Sequence, residues 1–251
     1  MRITTVMNQK GGVGKTTTAH ALAAGLRARG CKVLVIDSDL QCNLTDTYNA
    51  DSQGVGLYEV LRGQARVTEA ITQTPQGDIL TASESLCDID LQLAAVPGKL
   101  TILRNALADL NGQYDHIIID APPALNTIAL NNLAASTDVV IPLNASIYSM
   151  HALRQLLDTI DQVKAINPVL CVAGLLVCRK NGRAAVVRDT IDFIKQDAEQ
   201  KGLHAYNAVI REAAAILEAQ IVKQSIYEYA PKAAVTGDYR AFIDEYLMQE
   251  V

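Results

Sequence analysis

The chain has 251 residues, 49% of them hydrophobic, and a formal net charge of −5. This length suits one large α/β domain or two small ones, and the mildly acidic charge argues against a broadly cationic nucleic-acid binder, so any DNA contact must come from a local basic patch. Five scattered cysteines without a C-x-x-C pair favour buried free thiols, and the absence of a leader segment or long apolar run predicts a soluble, cytoplasmic protein.

Short apolar runs alternate with helical stretches along the chain. Strands are predicted at Ile3–Met7, Val33–Ile36, Ile79–Thr81, His116–Ile119, Val139–Leu143, Leu170–Val177 and Ala208–Ile210. Helices are predicted at Thr16–Arg29, Leu100–Leu110, Ser149–Ile166 and Ala185–Lys201, with short helices and loops over Asp46–Gln76. Apolar strands separated by helices predict a mostly parallel, twisted sheet flanked by helices on both faces. Since no Pro/Gly/Ser-rich linker interrupts the pattern, residues 1–251 are expected to form a single domain.

The stretch 8–18, with the sequence NQKGGVGKTTT, lies between the first predicted strand and the first predicted helix. A strand, a glycine loop and a helix in this order form a cradle for the phosphates of a nucleotide, because glycines allow backbone N–H groups to turn toward the anion. Lys15 would reach the β- and γ-phosphate oxygens, and the hydroxyl of Thr16 would hold Mg²⁺. The alternative is a surface glycine loop that caps an ordinary helix.

The glycine loop departs from the standard P-loop at its start. Gln9 stands where the standard motif has its first glycine, and Lys10 adds a second lysine directly after it. A Gly-Lys-Thr triplet is common by chance. A Lys-Gly-Gly-x-Gly-Lys-Thr-Thr block between a strand and a helix is not, so the phosphate-binding interpretation is favoured.

Two further apolar runs end in acidic residues. Asp37 and Asp39 follow the second run, and Asp120 closes the fourth run before Ala-Pro-Pro. Because ligands of such sheets bind beyond the carboxyl ends of the strands, these carboxylates are expected beside the glycine loop. Two neighbouring aspartates are unfavourable unless a cation or a reacting water lies between them. For each aspartate, a role as a helix cap or turn residue is the alternative.

The chain resembles the ParA/MinD superfamily of deviant Walker A P-loop ATPases essentially from end to end. The resemblance rests on the KGGVGKTT loop, the D-x-D-x-Q-x-N segment from Asp37, the apolar run ending in Asp120-Ala-Pro-Pro, and the C-terminal stretch 209–239. These segments are most similar to the short, Soj-like ParA branch, although Leu40 stands where that branch usually has proline. Since the loop begins at residue 8, an N-terminal helix-turn-helix domain is not expected.

The resemblance implies ATP and Mg²⁺ as cofactors and assigns roles to individual residues. Lys10 would reach across an ATP-dependent homodimer to the partner's phosphates, Lys15 would bind them in cis, and Asp39 would position the attacking water. Thr16, Asp37 and Asp120 would form the metal region. The implied nucleotide contacts are Lys10, Gly11, Gly12, Val13, Gly14, Lys15, Thr16, Thr17, Asn181, Ile210 and Arg211.

The resemblance also implies a biological cycle. The ATP-bound dimer would bind DNA non-specifically on the nucleoid, and a ParB-like activator would stimulate a weak ATPase so that plasmid or chromosomal DNA is moved. Candidate DNA contacts are Arg179, Lys180, Arg183, Arg188 and Lys223. A solvated helix start beside the adenine pocket is the alternative for this patch. Ala215 and Lys223-Gln224 depart from the branch, which has a basic residue and Gly-Lys there.

Other functions remain open at the level of sequence. The cargo could be a protein complex rather than DNA. A MinD-like membrane ATPase is disfavoured because the terminal stretch 239–251 is mostly acidic, which predicts an ordinary packed helix. An electron donor resembling the nitrogenase iron protein needs two cysteines per subunit at matching positions, and Cys42 and Cys87 do not resemble them. A non-hydrolysing ATP sensor is disfavoured because Lys10, Lys15 and Asp39 are all present.

Overall fold

The structure is a computed structural model that describes residues 1–146, 148–180 and 185–249. Its strands form one eight-stranded sheet in the order β3-β4-β2-β5-β1-β6-β7-β8, parallel throughout except for the antiparallel pair β3–β4. The strands are β1 (Arg2–Val6), β2 (Val33–Asp37), β3 (Ile71–Thr74), β4 (Gly77–Leu80), β5 (His116–Asp120), β6 (Asp138–Asn144), β7 (Cys171–Lys180) and β8 (Ala205–Arg211).

Helices connect the parallel strands and cover both faces of the sheet. They are α1 (Lys15–Arg27), α2 (Asn43–Thr47), α3 (Leu57–Leu61), α4 (Val67–Ala70), α5 (Ile89–Gln92), α6 (Ile102–Leu107), α7 (Thr127–Ala135), α8 (Tyr148–Val163), α9 (Ala185–Gln200), α10 (Ala214–Ile221), α11 (Ile226–Tyr229) and α12 (Ala234–Leu247). Two 3₁₀ turns, Glu84–Asp88 and Ala108–Leu110, complete the connections among the described residues.

The central strands bury side chains on both faces of the sheet. On β5, Ile118 packs into the cluster that contains α1 and α12, whereas Ile117 and Ile119 pack into the cluster that contains α6. Successive side chains of a strand point to opposite faces, so a run that is apolar at every position requires a cover on each side. The predicted α/β fold with a mostly parallel sheet is therefore confirmed.

One strand lies inside the segment that was predicted to contain only short helices and loops. Residues 71–74 form β3 at the edge of the sheet and pair with β4 through a tight turn, in which Gly77 has a φ of +121°. The four side chains of β3 are only partly buried or exposed. Such a short strand at an edge lacks the apolar run by which the buried strands were recognised.

The prediction of buried free thiols is correct for one cysteine. All five cysteines are free, but only Cys178 is buried. Cys31 and Cys42 are partly exposed, and Cys87 and Cys171 are exposed. Cysteine spacing carries no information about burial, and four of these residues lie at element ends or in connections.

The terminal helix α12 packs into the core, as predicted. Its side chains Tyr239, Phe242, Ile243 and Tyr246 are buried, and it contacts both β8 and α1. At the contact with α1 the side chains leave no room for more than glycine, since a Cβ at Gly25 would lie 2.1 Å from Cδ1 of Ile243. In the part of the chain that the structure describes, no helix combines the length and the apolar character that a membrane crossing requires.

Carboxylates of α12 contact the backbone of the edge strand β8. The side chain of Glu245 accepts hydrogen bonds from the N–H groups of Asn207 and Ala208, at 2.7 and 2.8 Å. Asp238 accepts one from the N–H of Arg211 at 3.1 Å. These donors, which β8 does not use for pairing with β7, are thereby satisfied within the chain.

A buried ion pair joins the start of β1 to the start of β6. Asp138 has no exposed surface, and its Oδ2 accepts a hydrogen bond from Nε of Arg2 at 2.9 Å, while its Oδ1 accepts one from Thr4. The guanidinium of Arg2 also lies 3.8 Å from the ring centroid of Tyr246 and donates to the carbonyl oxygen of that residue. Arg2 thus ties β1 to β6 and to α12.

Arg2→Ala is expected to lower the free energy of unfolding by about 3 kcal/mol, because Asp138 would remain buried without a cation. The matched control is Arg29→Ala, which removes the pair with Asp244, whose carboxylate is largely exposed, and is expected to lower it by less than about 1 kcal/mol. Urea denaturation of both variants measures the difference. Equal losses in the two variants would contradict the role assigned to Arg2.

Candidate functional site

The glycine loop joins β1 to α1 in a conformation that requires glycine. Gly12 and Gly14 have φ angles of +70° and +95°, in the left-handed region. Gly14 is the N-cap of α1, and as a glycine it has no side chain with which to cap the N–H groups of the first turn. A helix N-terminus without a side-chain cap presents backbone donors and a partial positive charge, so it is suited to an anion such as a phosphate.

The first half of the loop is held by Asn8. Its amide Nδ2 donates to the carbonyl oxygen of Pro142 at 2.7 Å, and its Oδ1 accepts from the N–H of Lys10 at 2.9 Å. Lys10 itself is exposed, and its ammonium has no ion-pair partner among the described residues. The loop therefore fixes the backbone of Lys10 while its charge faces outward.

A cavity of about 680 Å³ opens in front of the loop. Its phosphate end is formed by the loop and the start of α1, and Asp39 and Pro123 lie on its wall. Its other end is formed by the end of β8 and by α10. The lining residues from that end include Ile210, Arg211, Ala213, Ile216, Leu217, Gln220 and Tyr239. A polar end and an apolar end suit a phosphorylated ligand with an uncharged ring.

The sheet places Asp37 and Asp120 side by side. They are register partners at the carboxyl ends of β2 and β5, and both are buried. Asp37 uses its oxygens within its own loop: Oδ2 accepts from the N–H and the hydroxyl of Thr45, both at 2.8 Å, and Oδ1 accepts from the N–H of Asp39 at 3.1 Å. Burial nevertheless raises the pKa of Asp37 to about 6. Asp37 therefore anchors the loop that carries Asp39.

Asp120 differs because its carboxylate is not satisfied. Both of its oxygens are buried without a hydrogen bond of good geometry from the described residues, although the hydroxyl of Thr16 lies close enough to lower its pKa. Burial, reinforced by the charge of Asp37, raises the pKa of Asp120 well above its usual value. Burial likewise lowers the pKa of Lys15, against the opposing charges of Asp120 and Asp39. A buried, unpartnered carboxylate beside a hydroxyl suits a divalent cation.

A buried polar chain that sequence reasoning missed supports the backbone of Asp120. Nδ2 of Asn132 donates to Oγ of Ser38 at 2.7 Å, and the hydroxyl of Ser38 donates to the carbonyl oxygen of Asp120 at 2.7 Å. Asn132 lies on α7, 94 residues from Ser38. An asparagine within an apolar helix is the only trace of this contact in the sequence.

The apolar end of the cavity contains two predicted contacts and one that was missed. Ile210 is buried, and Arg211 forms a two-pronged ion pair with Asp238 at 2.6 and 2.7 Å, so its guanidinium is already engaged. Gln220 of α10 was not predicted. Its Nε2 donates to the hydroxyl of Thr17 at 3.3 Å and so connects α10 to the start of α1.

The predicted DNA contacts are only partly described by the structure. Asn181, predicted to contact the base, and Arg183 lie outside the described residues, as do the side chains of Arg179 and Lys180. Arg188 is exposed on α9. The ammonium of Lys223 is ion-paired with Asp46 at 2.9 Å, and is thus not free for a phosphate in this conformation.

The chain is similar to known proteins in both sequence and fold. The AAA domain family model AAA_31 matches residues 1–172. The chromosome partitioning protein ParA of Caulobacter vibrioides is 31% identical over 257 aligned positions, which cover 100% of this chain and 95% of that protein. The chromosome-partitioning ATPase Soj of Thermus thermophilus is 35% identical over 240 positions, which cover 95% of this chain and 92% of that protein.

The fold is also similar to a solved structure. A structure of cobyrinic acid a,c-diamide synthase from Mycobacterium smegmatis, with bound ADP and magnesium, has a TM-score of 0.84 to this chain. It is 31% identical in sequence and covers 97% of this chain and 93% of its own. The chain therefore belongs to the ParA/MinD superfamily of deviant Walker A P-loop ATPases, in the Soj-like branch of partition ATPases.

Proposed function

We propose that this protein is a ParA-type ATPase that dimerises with ATP, binds DNA non-specifically, and hydrolyses ATP when a partner stimulates it, so as to segregate or position plasmid or chromosomal DNA. The observation that carries this proposal is the convergence on one cavity of the glycine loop at the start of α1, the buried Lys15 and Asp39, with the carboxylate of Asp120 close to Lys15. A triphosphate and its metal ion match these charges in sign and in position.

The described residues fit a magnesium ion together with ATP. The hydroxyl of Thr16 and the unsatisfied carboxylate of Asp120 lie near each other, and Mg²⁺ prefers a few protein oxygens, phosphate oxygens and water to a cage of protein ligands. Consistent with this preference, no cluster of three or more His, Cys, Asp or Glu residues is found among the described residues. When bound, the ion neutralises charge on the β- and γ-phosphates. The solved relative contains ADP and magnesium, which supports a nucleotide with Mg²⁺ as the ligand of this cavity.

The protein residues divide the catalytic work. Backbone donors of the loop and the ammonium of Lys15 hold the phosphates, and the half-buried Asp39 is placed on the cavity wall to orient a water for attack on the γ-phosphorus. Since phosphoryl transfer needs mainly positioning and charge stabilisation, these groups are sufficient for slow hydrolysis. Lys10, exposed at the loop, supplies its positive charge to the partner's phosphates when two copies meet face to face.

DNA binding is proposed to depend on a local basic surface of Arg179, Lys180, Arg183 and Arg188. Contacts of this kind reach phosphates only, so they provide affinity without sequence specificity and weaken as salt rises. Because the whole chain has a net charge of −5, two copies of the patch on one dimer are needed for useful affinity. This requirement makes DNA binding depend on ATP, and it places the ATP-bound form on the nucleoid.

Asp39→Ala is expected to trap an ATP-bound dimer, because nucleotide still binds while the attacking water is no longer oriented. Light scattering with ADP and with ATP should show a doubled mass only with ATP. A gel shift with non-specific DNA at low salt should then show binding by the dimer alone. A variant that stays monomeric with ATP would contradict the proposal, and an ATP-only dimer that ignores DNA would move the cargo to a protein complex.

Lys10→Ala is expected to keep ATP binding and to lose stimulated turnover by a factor of about 1,000, the lower range for a cation supplied in trans. The matched control is Lys32→Ala, which removes another exposed lysine and should leave turnover unchanged. Phosphate release with and without the activator, together with fluorescent nucleotide binding, separates the two effects. Full stimulated turnover by Lys10→Ala would contradict a role in trans.

Asp120→Asn is expected to stabilise the nucleotide-free protein while it weakens magnesium binding. The raised pKa of Asp120 means that the folded state binds this proton more tightly, so its contribution is favourable at low pH and is lost as the pH rises above about 4. Asparagine removes this loss, so the free energy of unfolding at pH 7.5 should rise above that of the wild type, and the gain should shrink toward pH 4.

Urea denaturation from pH 4 to pH 8 measures the effect of Asp120→Asn. The control is Asp109→Asn, which changes an exposed carboxyl and should have no such pH dependence. In the presence of Mg²⁺ and ADP the wild type should become more stable to urea than Asp120→Asn, since only the wild-type carboxylate contributes to the proposed metal site. A variant that is less stable than the wild type at pH 7.5 without ligand would refute the assignment.

A further inference from the structure

Backbone strain is concentrated around the short helix α2. Three non-glycine residues among those described have positive φ angles: Cys42 and Asn49, both at 53°, and Lys223 at 54°. Cys42 is the N-cap of α2, Asn49 follows its end, and Lys223 lies two residues beyond α10. Such conformations are unfavourable for residues with a Cβ and persist where the surroundings enforce them, often at switch regions.

Lys223 is bound to α2 through both its side chain and its backbone. Its Nζ donates to Oδ1 of Asp46 at 2.9 Å and to Oδ1 of Asn49 at 3.1 Å. Its carbonyl oxygen accepts from Nε2 of Gln76 at 3.0 Å, and the same nitrogen donates to the carbonyl oxygen of Thr47 at 2.6 Å. Two of the three strained residues therefore contact each other, and the contact joins the end of α10 to the end of α2.

The helix that precedes Lys223 forms the apolar end of the nucleotide cavity. Ile216, Leu217 and Gln220 of α10 line the cavity, and Ala219 alone of its side chains is fully buried. A helix with so little buried surface is positioned by its polar contacts and by whatever occupies the cavity. A ligand that moves α10 would therefore also move Lys223.

At the opposite end of this connection, α2 is fixed to the acidic loop. Thr45 of α2 donates from both its N–H and its hydroxyl to Asp37, and the other oxygen of Asp37 accepts from the N–H of Asp39. A shift of α2 is thus transmitted to the backbone of Asp39 through a single buried carboxylate.

We propose that Lys223 is a positioning residue that couples the cavity-lining helix α10 to α2 and, through Asp37, to Asp39. The inference rests on the proposed ATPase function and adds a connection between the two ends of its site. Stability does not explain Lys223: its side chain is 37% exposed and that of Asp46 is 75% exposed, so the ion pair contributes little, and glycine would adopt this backbone freely.

The test compares hydrogen exchange of the wild type and Lys223→Gly, with and without ADP or ATP. In the wild type, nucleotide is expected to slow exchange in residues 43–49 as well as in the glycine loop. In Lys223→Gly, nucleotide should bind with an affinity within about twofold of the wild type, and slower exchange should be confined to the glycine loop. The unstimulated kcat should fall about fivefold with little change in KM, at the low end of coupling between sites.

Two further variants keep this test decisive. Asp46→Asn removes the charge of the same contact from the side of α2 without altering the backbone at 223, and it should reproduce both effects, in weaker form, even if Lys223→Gly folds poorly. Lys201→Ala, which removes the exposed pair with Asp197 at the end of α9, should reproduce neither. If nucleotide still slowed exchange of residues 43–49 in both Lys223→Gly and Asp46→Asn, the coupling alone would be overturned. If the wild type did not bind nucleotide, the ATPase proposal would be overturned as well.

Discussion

Two carboxylates and an ammonium group share the buried carboxyl edge of the sheet, and the rest of the site is arranged around them. Parallel pairing of β2 with β5 places Asp37 directly beside Asp120, and the glycine loop places Lys15 near Asp120. The protein resolves the repulsion asymmetrically. Asp37 receives backbone and hydroxyl donors from the segment that follows it, while both oxygens of Asp120 are buried without a hydrogen-bond partner among the described residues. One aspartate thus fixes the geometry of the loop, and the other is the proposed metal ligand.

Contacts at the amino ends of the strands stabilise the free protein away from these carboxylates. The ion pair of Arg2 with Asp138 joins the first residues of β1 and β6, at the opposite edge of the sheet from Asp37 and Asp120. Such contacts can be optimised without regard to catalysis. In the proposed magnesium site, a bound cation would relieve the unfavourable charge at Asp120 and so stabilise the folded state.

The parts of the site that could be predicted are those encoded by consecutive residues. The glycine loop and the aspartates at the ends of apolar strands are local patterns, and the sheet order brings them together without further information. The contacts that could not be predicted join distant segments, such as Asn132 with Ser38 and Lys223 with Asp46, which are 94 and 177 residues apart. Each involves an ordinary polar residue in an ordinary element, so only the folded chain reveals the pair. The edge strand β3 was not predicted for a related reason. Its four residues bury too little apolar surface to create a recognisable pattern in the sequence.

The contacts of the α12 carboxylates Glu245 and Asp238 with the backbone of β8 have a consequence for self-association. An edge strand with free N–H groups invites another copy to extend the sheet, and such growth has no natural end. Here three of those donors are already occupied by side chains of α12, so β8 is a poor template for strand addition. A protein whose proposed cycle requires two copies to meet and separate repeatedly gains from this arrangement. Because β8 is a poor template for strand addition, two copies do not extend each other's sheets there. In the proposed cycle, their association can then be controlled at the nucleotide-binding face.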